Sequence, residues 1–213
     1  MDSGGFTELS RNGTWTVSPE AYVDEVRRIS AEVGNLEWAA PQDWMCEPQI
    51  LKKTGLSVKE HQRRTVENLL TLRKLAPELP FIPVLQGWTN GDYYDHAQAY
   101  RSAGLELAQE PLVGIGSVCR RKATMGPSFM IRSLKDDGLK LHGFGFSVAG
   151  LRFTSEDLAS SDSMAWSFAA RRSRETLGCT DHPGDCRNCM RYAEAWRGEV
   201  EARVRVFERG ARS

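Results

Sequence analysis

Short apolar runs recur along this chain, each separated from the next by a stretch with helical periodicity, and this alternation restricts the fold more than any other feature. The runs are residues 36–40, 81–86, 112–116, 139–145 and 161–166. Several are almost continuously apolar, as strands covered on both faces are. Between them lie amphipathic stretches. Residues 19–33 follow Ser18, a good N-cap, and begin with Pro19, which suits the first helical position. Residues 57–75 open on Ser57-Val58-Lys59-Glu60, the pattern of a capping box, and place Val66, Leu69, Leu70 and Leu72 on one face. Residues 91–107 and 128–137 continue the pattern, and a charged helix is expected over 188–209. Strands joined by helices imply parallel βαβ units. A closed (β/α)8 barrel typically takes roughly 250 residues, whereas this chain has 213. The expectation is therefore an α/β fold of (β/α)8 TIM-barrel type that lacks its first strands, with a smaller open sheet as the alternative. The predicted division is a partial barrel over 1–175 and a zinc-binding segment with a C-terminal helix over 176–213.

The second constraint is Cys179-Thr-Asp-His182-Pro-Gly-Asp-Cys186-Arg-Asn-Cys189. Zinc takes four soft or borderline ligands in a tetrahedron, and a Cys-x2-Cys turn brings two thiolates to one metal. Cys179 and His182 supply the other pair, and Pro183-Gly184 allows the chain to reverse between them. Four protein ligands leave no open position, so the expected cofactor is structural zinc. The alternative is a loop carrying three thiols and a surface histidine. The start of the chain carries neither a basic region nor an apolar core of the kind that targets secretion, and no apolar stretch approaches the ~18 residues of a membrane span. A cytoplasmic location with no membrane partner is expected, where thiols stay reduced and zinc is favoured over disulfides.

Formal net charge is zero, which neither favours nor excludes a nucleic-acid partner. In parallel barrels chemistry gathers at the C-terminal ends of the strands. Asp2, Asp43, Cys46, Gln86, Gly114, Gly116, Ser117, His142 and Asp162 all fall there. Each has a plainer reading. Asp2 and Asp162 are also helix-cap residues, Asp43 a turn former, Gln86 a partner for a buried carbonyl, and Gly114-Ile115-Gly116 a site of close packing. His142 reads as a core histidine and is set aside. Trp44 and Trp88 are candidates to stack on a flat ligand or to fill the core.

Taken in order, Asp2-Ser-Gly-Gly-Phe6, Asp43-x2-Cys46, Val84-x-Gln86-Gly87, Gly114-x-Gly116, His142-Gly-Phe-Gly145, the Asp162 segment and the Cys/His cluster resemble the tRNA-guanine transglycosylases. They are closer to the DpdA-like proteins of deazapurine DNA modification. The resemblance implies that Asp162 is the nucleophile and Asp2 the general acid/base. It implies that Asp43 pairs with the edge of the purine, and that Gln86 with the backbone near Gly114 and Gly116 reads its carbonyl, with Cys46 and Ser117 lining the pocket. It makes Cys179, Cys186 and Cys189 zinc ligands, and His182 substitutes for a histidine the family places further downstream. The tRNA enzymes have Gly-Gly-Leu where this chain has Gly116-Ser117-Val118, so the base pocket differs.

The expected activity is base exchange, replacing guanine by a 7-deazaguanine in nucleic acid through a covalent aspartyl-glycosyl intermediate. Retaining glycosidases trap the anomeric carbon in the same way. The expected partners are DNA, in preference to tRNA, and a 7-deazaguanine base, with a homodimer or a partner subunit as the assembly. The rival reading is a non-catalytic nucleic-acid-binding or accessory subunit of a transglycosylase.

Overall fold

The computed structural model describes residues 1–118, 125–146, 148–172 and 184–211. The helices are α1 (Gly5–Asn12), α2 (Pro19–Val33), α3 (Pro48–Thr54), α4 (Val58–Leu75), α5 (Asn90–Ser102), α6 (Met125–Asp136), α7 (Val148–Thr154), α8 (Ala165–Arg172) and α9 (Met190–Ala211). Four short strands alternate with them: β1 (Val84–Leu85), β2 (Val113–Ile115), β3 (Leu141–Gly143) and β4 (Ser160–Ser161). They form one sheet in the order β1-β2-β3-β4. All its pairs are parallel, with Val84 opposite Gly114, Val113 opposite Leu141 and His142 opposite Ser160. Each crossover runs through a helix, as parallel pairing requires.

The sheet continues beyond β1. Ala39 bridges Phe81 in parallel, and the Ala40 N–H donates to the Met1 carbonyl at 2.9 Å. Neighbouring strands lie about 4.8 Å apart, so a flat sheet would hold residue 38 roughly 14 Å from β3. Instead the Trp38 and His142 rings are 4.5 Å apart between centroids, and Trp38 meets Phe144 at 5.8 Å. The sheet is strongly curled about that inner aromatic cluster. On the outside, helices pack in chain order, α2 on α4, α4 on α5, α5 on α6, α6 on α7 and α7 on α9. Tyr22, Val26, Leu69, Leu72, Tyr100, Ile131 and Leu134 fill the layer between helices and strands.

The α/β class and the parallel sheet agree with expectation. A closed eight-stranded barrel is not shown, because the described residues contribute four strands to an open sheet. The run 36–40 reduces to the Ala39 bridge. The run 161–166 is strand only at its start. Ser163 Oγ accepts the Ala165 N–H at 3.2 Å, and the chain turns helical there. The stretch 91–107 ends as a helix at Ser102; Gly104 takes φ +83° and a 3-10 turn follows at Leu107–Gln109. The capping box at Ser57 is half formed. Ser57 Oγ accepts the Glu60 N–H, but the Glu60 carboxylate turns to Arg63 and Arg64. The complete one joins Thr89 and Asp92 ahead of α5. No helix among the described residues is long and apolar enough to cross a membrane.

Candidate active site at the C-terminal ends of the strands

Gln86, immediately after β1, is fully buried and spans two neighbours. Its Nε2 donates to Asp43 Oδ2, and its Oε1 accepts from Ser117 Oγ at 2.6 Å. Its backbone is fixed from both sides. The N–H donates to His96 Nδ1 at 2.8 Å, and the carbonyl accepts from Gln62 Nε2 at 2.8 Å. The side chain can cross from strand to strand only because residue 116 is glycine: a Cβ there would lie 2.1 Å from Gln86 Nε2. Gly114 is required in the same way, since a Cβ would meet the Phe144 ring at 2.5 Å. Gln86 therefore serves side chains rather than the buried carbonyl considered from the sequence.

Asp43 is 6 % exposed. Its Oδ1 accepts from Ser3 Oγ at 2.8 Å and its Oδ2 from Gln86, so both oxygens are engaged. Removal from water favours the neutral acid. That burial, reinforced by the charge of Asp2, pushes its pKa from 3.8 to about 7, against the opposing pull of the bonds from Ser3 and Gln86. Ser117, at φ +57°, accepts the Cys46 N–H at 2.8 Å and lies 3.0 Å from the buried Glu47 carboxylate. The Cys46 thiol is wholly buried, and burial raises its pKa strongly. Asp43, Cys46, Gln86, Gly116 and Ser117 thus form one buried polar unit.

Asp2 and Asp162 flank this unit at the surface of the same end. Asp2 keeps contact with solvent while the surrounding chain partly desolvates its carboxyl, and its Oδ1 accepts the Ser3 N–H at 2.7 Å. Its pKa is raised, chiefly by desolvation and then by the negative charge of Asp162. The next residue, Ser3, reaches Asp43, so the two parts of the site are joined through adjacent positions. Asp162 follows β4, and its Oδ1 accepts the Gly145 N–H at 2.5 Å. That bond runs to the loop after β3 and not to α8, so Asp162 is no cap for the helix behind it. A groove of about 780 Å³ leads away from Asp162 between β4 and α9, lined by Ser161, Trp166, Trp196, Arg197 and Arg205 among others.

Other expectations fare differently. Trp44 is 7 % exposed in a small core with Leu9 and Ile50, and Arg64 covers its ring at 4.6 Å; it is a packing residue and not a stacking platform. Cys186 and Cys189 form a tight turn leading into α9, with the Cys189 N–H donating to the Cys186 carbonyl at 3.0 Å. Ala170 and Tyr192 pack around them. Cys179 and His182 lie outside the described residues, and among the described residues no group of three or more His, Cys, Asp or Glu side chains gathers as a metal site. Sequence reasoning missed Ser3, whose small hydroxyl has no pattern; His142 is buried between Trp38 and Phe144, as its apolar neighbours led us to expect.

The model of the family DpdA, DeoxyPurine in DNA protein A, matches residues 1–210 of this chain. No curated protein matches it.

Proposed function

The chain belongs to the DpdA family, a transglycosylase-like transferase group of deazapurine DNA modification, and from that premise we propose that it exchanges a guanine in DNA for a 7-deazaguanine base through a covalent aspartyl-glycosyl intermediate. The observation that carries the reading is the meeting of three carboxylates. Asp2 and Asp162 are near enough that one charge raises the proton affinity of the other, and Asp43 lies behind them in a buried polar pocket. A carboxylate and a neighbouring protonated carboxyl are what displacement at an anomeric carbon with retention requires.

In this mechanism the target nucleotide leaves the stack. An oxygen of ionised Asp162 bonds to C1′ while the C1′–N9 bond breaks. The electron pair departs with guanine, which takes the proton held by Asp2. The incoming deazapurine returns its N9 proton to Asp2 as its nitrogen displaces Asp162. The raised pKa of Asp2 suits a group that must hold and release a proton. Asp43 accepts from the donor edge of the purine once ionised, and the Gln86 amide faces the base carbonyl; the Gly114 and Gly116 N–H groups are taken by the Pro83 and Leu85 carbonyls. Arg197 and Arg205 along the groove from Asp162 offer charge to a DNA backbone.

Two further parts belong to the same proposal. The sequential parallel order, the curl about Trp38 and His142 and the outer file of helices support an arc of a (β/α)8 barrel, with chemistry at the strand ends. Cys179, His182, Cys186 and Cys189 hold a structural zinc; the Cys186–Cys189 turn at the head of α9 fits one half of that donor set. Zinc would staple the segment and take no part in the exchange.

The test is adduct trapping. Wild type mixed with DNA and run on a denaturing gel is expected to give a shifted protein–DNA band that added deazaguanine discharges, and Asp162→Asn is expected to give none. A band that persists in Asp162→Asn rules out Asp162 as the nucleophile.

A further inference from the structure

His142 sits on β3 and is 3 % exposed. Its ring is enclosed by Trp38 at 4.5 Å and by Phe144, edge-on, at 4.7 Å. Ser160 Oγ on β4 holds Nδ1 at 2.8 Å. The other nitrogen, Nε2, is buried and has no hydrogen-bond partner among the described residues. A buried polar atom left so is costly, and one that persists needs a reason. Asp162 Oδ1 lies 4.0 Å away. That carboxyl is 47 % exposed, and among the described residues it accepts one hydrogen bond, from the Gly145 N–H. Contacts of this kind often tighten only in the reactive complex. Asp162 Oδ2 has no partner among the described residues.

We propose that His142 is a positioning residue for the nucleophile: Nε2–H donates to Asp162 Oδ1 beside the Gly145 N–H, which fixes the carboxylate plane and leaves Oδ2 as the oxygen that bonds to C1′. This role rests on the base-exchange reading. It requires the neutral tautomer in which Ser160 donates to Nδ1 and the proton sits on Nε2. The charged groups facing the ring are Asp162 from β4 and the Met1 α-amino group from beside residues 38–40; burial keeps the imidazole neutral, Asp162 pulls toward protonation and Met1 against it. With the ring neutral, the bond supports the ionised carboxylate without cancelling its charge.

The first measurement needs no substrate. Nitrogen-15 NMR of the full chain is expected to show the Nε2–H tautomer near neutral pH, with the His142 titration moving to lower pH in Asp162→Asn as a neighbouring negative charge is lost. The Nδ1–H tautomer, or a titration indifferent to Asp162→Asn, overturns the proposal. The second measurement is adduct formation against pH. His142→Phe keeps a ring between Trp38 and Phe144 but removes the donor; it is expected to slow trapping roughly 10-fold or more and to move the acid limb to higher pH, since Asp162 loses a donor to its charged form. His142→Gln, which places an N–H near the Nε2 position, is expected to restore both. A His142→Phe protein with the wild-type rate and pH profile overturns the role while leaving the exchange reading intact. A coupled His142 in a wild-type protein that traps no DNA removes the exchange reading, and the role with it.

Discussion

Replacing Asp43 by asparagine isolates the electrostatics of the buried pocket. The amide keeps the shape and can satisfy both neighbours, accepting from Gln86 and donating to Ser3 Oγ. The carboxyl, by contrast, is held from 3.8 up to about 7. Its folded-state value lies above its unfolded value, so the folded protein binds the extra proton between them, and stability falls as pH rises through that window. Each tenfold change in proton affinity is worth about 1.4 kcal/mol. A group raised from 3.8 to about 7 therefore makes wild type lose up to about 4 kcal/mol between pH 4 and 7 that Asp43→Asn keeps. Urea unfolding at half-unit pH steps from 4 to 8 measures the difference between the two proteins. It should be largest at the alkaline end, with the variant the more stable there, and should shrink toward pH 4. Parallel pH curves would mean that Asp43 is ionised throughout and that the pocket admits more water than its 6 % exposure implies.

Four other outcomes are expected. Asp2→Asn should slow base exchange about 10²- to 10⁴-fold, measured with labelled guanine and DNA, while DNA binding persists. Gly116→Ala puts a methyl 2.1 Å from the immobile Gln86 amide and should cost roughly 1–3 kcal/mol in denaturant unfolding, with base binding lost as the Gln86–Asp43 bond breaks. Metal analysis should find one zinc per chain, and chelation or Cys186→Ser should lower the melting temperature, because structural zinc is coupled to folding. Guanine affinity should rise as pH climbs through about 7, following ionisation of Asp43, and the rise should be absent in Asp43→Asn.

Helices with a clear face and a proper first turn were readable in the sequence: Ser18-Pro19 opens α2 and Ser57 opens α4, both where expected. The short helices α1, α3 and α7 carry too few turns for periodicity to register, and their ends depend on glycines such as Gly13 and Gly55 at φ near +70°. Strands of two or three residues are fixed by their neighbours rather than by local preference, so 161–166 was misjudged once Ser163 began a helix. At the site, Asp2, Asp43, Gln86 and Asp162 stood out because polar residues break apolar runs. What those residues do to one another was not readable. The engagement of Asp43 by Ser3 spans forty positions, and the turning of His142 Nε2 toward Asp162 depends on the angle at which two strands are packed.

The closed bonding of Asp43 sets terms for whatever enters the pocket. A newcomer does not find bare acceptors; it competes with the Ser3 hydroxyl and the Gln86 amide, and the net gain is a difference between two sets of bonds. A planar base that offers two adjacent donors can replace what it displaces. One that offers a single donor leaves a carboxylate oxygen stranded away from water, at a cost large enough to reject it by orders of magnitude. Discrimination among purines would then come from the demand that every displaced bond be returned, and a hydrophobic molecule of the same outline would be refused without any steric clash.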